Sequence, residues 1–154
     1  MPASGGWTER EGATQMAVPD TGQRMARQLY AAATGTSGGE PFELAEDVAE
    51  NLAAACDKLV EDLQKATATG HLVTEVSGFP DLLTGHGLAK GFGDKGTQFL
   101  DTVTAFQETA LLYKAAYLAA GKRFEDAEAA NRAALQLITD YLESPRGEQT
   151  DGNH

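Results

Sequence analysis

The stretch TQFLDTVTAFQETALLYKAAYLAAGKRFEDAEAANRAALQLITDYLE, residues 97–143, decides the fold. Starting at Phe99 and stepping by four and three in turn, its positions are Phe99, Val103, Phe106, Ala110, Tyr113, Tyr117, Ala120, Phe124, Ala127, Asn131, Ala134, Ile138 and Tyr141. Twelve of the thirteen are apolar or aromatic, and the register never slips. A heptad held this long predicts one continuous helix over 97–143, about 70 Å in length, packed along a coiled-coil-like seam. Gly121 interrupts the composition but not the period, and its cost of about 1 kcal/mol relative to Ala is one the seam can outweigh. Asn131, the one polar member, is the kind of residue a seam uses to fix register or partner number. Pro145 restricts Ser144 and closes the helix.

Working back toward the N-terminus, residues 71–96 hold six glycines and a proline among Leu, Val and Phe, which predicts a long connector. Before it, Leu44, Val48, Leu52, Cys56, Leu59 and Leu63 form one apolar face opposite Glu46, Glu50, Asp57, Glu61 and Asp62. Pro41 suits a first helical turn and Gly70 a C-terminal stop, so a helix is expected over 40–69, about 45 Å long. Asp20 and Gln23 have the spacing of an N-cap and its box partner, and Met25, Leu29 and Ala32 continue a short helix to Thr34. Residues 1–19 and 144–154 contain too few bulky apolar groups to offset the entropy of ordering, and are expected to be disordered tails.

The expected architecture is all-α: a single helical domain over 20–143, an antiparallel hairpin with a long second helix, preceded by a short one. The second long helix exceeds the first by 17 residues, leaving about 25 Å of seam beyond its partner. Tyr117, Ala127, Asn131, Ala134, Ile138 and Tyr141 are therefore the candidate partner seam. Either the helix over 20–34 covers its far end or a second protein chain does, as a homo- or heterodimer.

Composition narrows the function. With 154 residues, 42 % hydrophobic and 7 % aromatic, the chain has room for one modest, Ala-rich core. A net charge of -11, concentrated as eight acids against two bases between 40 and 66, opposes nucleic acid and anionic lipid. No run of eighteen apolar residues and no apolar leader occurs, so a cytoplasmic protein, or one exported without a general secretory signal, is expected.

Chemistry-bearing motifs are weak. Gly91-Phe92-Gly93-Asp94-Lys95-Gly96 matches G-x-G-x-x-G, but no buried strand runs into it and no second strand with a ribose-binding acid follows, so it reads as a glycine-rich entry to a helix. His71, His86 and His154 lack a carboxylate or Cys at ligand spacing. Cys56, beside Asp57, is in a setting that raises a thiol pKa, and is read as a buried small side chain. No nucleophile elbow occurs. No catalytic residue, cofactor or metal is expected, and the chain reads as a non-enzymatic interaction protein.

The succession of an acidic, Ala-rich helix (LAEDVAENLAAACDKLVEDL), a Gly-aromatic connector (GFPDLLTGHGLAKGFG) and a second long helix resembles the WXG100-like superfamily of type VII (ESX) secretion, particularly its longer EspC-like members. The resemblance covers about residues 40–143. It implies a helical hairpin paired with another hairpin, and an export signal of the form Tyr-x-x-x-Asp/Glu late in or after the second helix. Phe124-Glu125-Asp126-Ala127-Glu128 stands at that place, with Phe for Tyr, so Phe124 and Glu128 are the export-signal candidates. No Trp-x-Gly turn is present; Ser77-Gly78-Phe79 and Gly91-Phe92-Gly93 are its nearest substitutes. The alternative expectation is a cytosolic coiled-coil adaptor or self-assembling scaffold closing on its Asn131 seam.

Overall fold

A computed structural model describes residues 18–74 and 83–143, with side chains excepted over 69–92. The expected tails, except Val18 and Pro19, and the middle of the connector lie outside the described residues. Every described element is an α-helix: α1 Gln23–Thr34, α2 Glu46–Thr74, α3 Leu83–Ala120 and α4 Phe124–Leu142.

The expected 97–143 rod is two helices. After Ala120 the chain turns within Gly121–Arg123, where the Lys122 N–H donates to the Ala119 carbonyl at 2.9 Å and the Arg123 N–H to the Leu118 carbonyl at 2.8 Å. This pair of bonds is the Schellman closure of a helix, with Lys122 at the left-handed position, φ 69°, where glycine is usual. Glycine instead precedes it. A Cβ on Gly121 would stand 2.5 Å from the Ala49 Cβ, so the residue is there because α2 passes too close for any side chain. The uninterrupted heptad gave no sign of the turn, because α4 keeps the same apolar spacing while packing back on its own predecessor.

The expected long second helix is accordingly divided, and α3 lies at the centre of a bundle. Pairing of Ala49 with Gly121, Asp57 with Lys114 and Thr67 with Gln107 sets α2 antiparallel to α3. α4 also runs back along α3: Ala134 meets Leu112, and the Tyr141 hydroxyl donates to the Asp101 carboxylate. α1 runs parallel to α3, with Thr21 bonded to Thr109 at 2.8 Å, Ala26 against Leu112 and Ala134, and Tyr30 and Ala33 against Leu118 and Ala127. Alanine supplies much of this core, which lets helices approach closely and explains how so few large side chains suffice.

Helix boundaries moved for identifiable reasons. α2 starts at Glu46 rather than at 40, because the Phe42 N–H is bonded to the Ala32 carbonyl and the Leu44 N–H to that of Ala120. The Phe42 ring stands edge-on to Tyr117 at 6.4 Å, holding this strap across the end of α3. α3 starts at Leu83, taking in Gly91–Gly96 and most of the expected connector despite their low helix propensity. Gly96 is buried. α1 keeps its expected end: Gly35 is left-handed at φ 81° and the Thr36 N–H closes onto Ala31 at 2.9 Å. At its start Asp20 accepts from the Gly22 N–H at 3.1 Å and Gln23 from the Thr21 N–H at 2.6 Å, a rearranged form of the expected box.

Candidate interaction surface

The expected partner seam is largely internal. Ala127 and Ala134 are fully enclosed by α1 and α3, Asn131, Ile138 and Tyr141 are half-buried, and Tyr117 lies under the Phe42 strap. As a surface for a second chain the Ala127–Ala134 stretch is thus corrected, since the chain's own first helix covers it. The heptad identified an apolar stripe; it could not identify which element would lie on it.

Phe124 and Glu128 have a different fate. They open α4 at spacing i,i+4, hence on one helix face, and both are exposed, Phe124 by 46 %. Phe124 is not a core position. The corner beneath them is fixed by Arg123, whose guanidinium meets Glu50 and Asp126 and reaches Glu46 at 3.7 Å. The hydrogen bond that Arg123 donates to Asp126, reinforced by the other two carboxylates, raises the Arg123 pKa further, so its charge is constant. Glu125 and Asp126 in the first turn complement the positive helix start.

A second apolar edge was placed wrongly by the sequence reading. Leu59 on α2 and Phe99 and Phe106 on α3, all expected to face inward, are 47 %, 45 % and 44 % exposed. Val48 is exposed as well, and the buried stripe of α2 is instead Ala49, Ala53 and Cys56. The inward face of α2 is therefore rotated toward its alanines, because alanine admits the closest approach to Gly121 and Leu118. The signal available was the i, i+4, i+7 spacing of Ala49, Ala53 and Cys56, which competed with a stripe of larger residues and won on fit.

Between α2 and α4, over Leu111 and Leu118, lies an open groove of about 400 Å³ floored by alanines. Its rim charges are matched within the chain, Lys114 with Asp57 at 2.8 Å and Arg123 with its three carboxylates. Nothing in it converges on an absent ligand. Cys56 is buried, and burial, with the Asp57 carboxylate adding, pushes its thiol up to about 11; at neutral pH it is a thiol and not a nucleophile. Among the described residues no group of His, Cys, Asp and Glu could hold a metal ion, and no helix is long and apolar enough to cross a membrane.

Comparison with protein-family profiles, curated proteins and solved structures gives no match, so the functional argument rests on this geometry and on the resemblance of layout.

Proposed function

We propose that this chain is a non-enzymatic helical interaction protein, a WXG100-like substrate or accessory partner of a type VII secretion system, read by the export machinery at the α3–α4 corner. The observation that supports it most is the joint exposure of Phe124 and Glu128 on one face of the first turn of α4. Nearly half of the Phe124 ring is left open to a partner, and an apolar group four residues before a carboxylate is the chemistry such a signal offers. The Arg123 ion pairs with Glu46, Glu50 and Asp126 join the start of α4 to α2 beside the pair. The covered seam lends this reading nothing.

The test is export of the full chain from an actinobacterial host carrying an ESX apparatus. Because both side chains are exposed, the Phe124→Ala, Glu128→Ala double variant retains its helical circular dichroism and accumulates in the cells instead of the medium. Unchanged export of the folded variant removes the reading.

A second reading, a cytosolic helical adaptor, is favoured by the exposed Leu59, Phe99 and Phe106 edge. Its partner is another amphipathic helix or hairpin, and the edge, not the corner, is then the place where substitution abolishes capture.

A further inference from the structure

We propose that Gly121–Arg123 is an exchange hinge, through which α4 leaves its own α3 and packs on a second copy of this chain, giving a domain-swapped dimer. The inference is independent of the export reading, and three observations carry it. The heptad of α3 runs into that of α4 without a slip, so the same residues form an acceptable continuous helix once the turn is straightened. The turn itself is only three residues long and places Lys122, a residue with a Cβ, at φ 69°, where L side chains are strained; short strained links favour exchange over closure. Straightening replaces the two closing hydrogen bonds of Lys122 and Arg123 with ordinary helical ones and returns the Ala120 carbonyl to the helix ladder, so the one backbone bond given up is that of the Leu44 N–H in the strap, which is released to water.

The occupant is fixed by fit. Every contact that seats α4, namely Ala134 against Ala26 and Leu112, Ala127 against Tyr30 and Ala33, and Tyr141 to Asp101, is available in identical form on a second copy. Straightening also aligns residues the monomer leaves bare. Phe106 and Phe124 are 18 residues apart, about five turns, and Phe99 lies two turns before Phe106, so the three exposed phenylalanines fall on one line of the continuous helix. In the closed monomer the reversal at Lys122 divides that line.

Position 122 tests this with opposite signs at an exposed side chain, so folding is not at risk. Lys122→Gly accepts the left-handed turn and disfavours the continuous helix; Lys122→Ile does the reverse, because a β-branched residue resists positive φ. After refolding the full chain at high concentration, light scattering on a sizing column is expected to rank the dimer fraction Ile above Lys above Gly, with the Lys-to-Gly step about fivefold. The dimer fraction is then examined in a Cys56→Ala background with Asp101→Cys in one copy and Tyr141→Cys in the other. A short bis-maleimide is expected to join the two copies covalently. Equal dimer fractions in the three chains, the absence of any dimer from Lys122→Ile, or a dimer without the inter-copy link overturns the proposal.

Discussion

One methyl group at residue 121 would stand 2.5 Å from the Cβ of Ala49, and neither side can yield easily. α2 is tied to the corner by Glu46 and Glu50 on Arg123, and the strap ahead of it by Leu44 on the Ala120 carbonyl. Gly121→Ala should therefore destabilise the monomer by about 1–3 kcal/mol, the usual cost of overpacking, although the same change in an unconstrained helix would stabilise it. A lowered urea midpoint at low protein concentration is the check. The sequence made Gly121 legible as a residue compatible with helix and nothing more; its reason lies on another element, 72 residues earlier. Cys56 was more transparent, since its acidic neighbour and apolar flank both point to a raised pKa. Its folded value of about 11 exceeds the ordinary thiol value of 9.0, so the native state holds the proton more tightly. The associated stability is complete below pH 9 and is lost as pH rises toward 11. Alkylation of Cys56 should accordingly be slow at neutral pH and accelerate only in that range, later than for the urea-unfolded chain.

At the scale of elements, periodicity revealed that residues 99–141 have an apolar stripe and that a short helix precedes the long ones; it was silent on how the stripe is divided. A straight rod with a bare end and two shorter helices sharing one core demand the same spacing of apolar residues. What distinguishes them is the size match between faces. Ala127, Ala130 and Ala134 on α4 leave room that only a small-faced helix can enter closely, and α1 supplies it through Ala26, which has no exposed surface. Ala26→Leu should force α1 away from Leu112 and Ala134 and cost about 1–3 kcal/mol, with Ala26→Ser milder. Hydrogen exchange of α1 amides is the sensitive readout, because loss of docking will release α1 before it unfolds α2 or α3. The glycine-rich start of α3 misled for the converse reason: local propensity argues for a connector, yet the chain is helical there, with Gly96 buried.

Across the whole molecule the question is which exposed apolar residues are used in binding. Phe124 lies just beyond the C-terminal end of α3, whereas Phe99 lies 21 residues before that end, about 31 Å along the helix, so corner and edge can be altered separately. Phe99 and Phe106 are nearly half exposed, which limits what their removal takes from the core to about 1 kcal/mol each. A Phe99→Ser, Phe106→Ser variant should remain folded and monomeric, and it should bind less of an environment-sensitive dye such as anilinonaphthalene sulfonate, because the exposed apolar patch shrinks. If export machinery reads the corner, this variant is exported as well as the parent. If it is retained while its melting profile is unchanged, recognition lies on the α2–α3 edge, and Phe124 with Glu128 are bystanders. The direction of the expected result follows from the chemistry of the two surfaces: the edge offers exposed apolar side chains alone, while the corner sets an apolar ring and a carboxylate on one helix face.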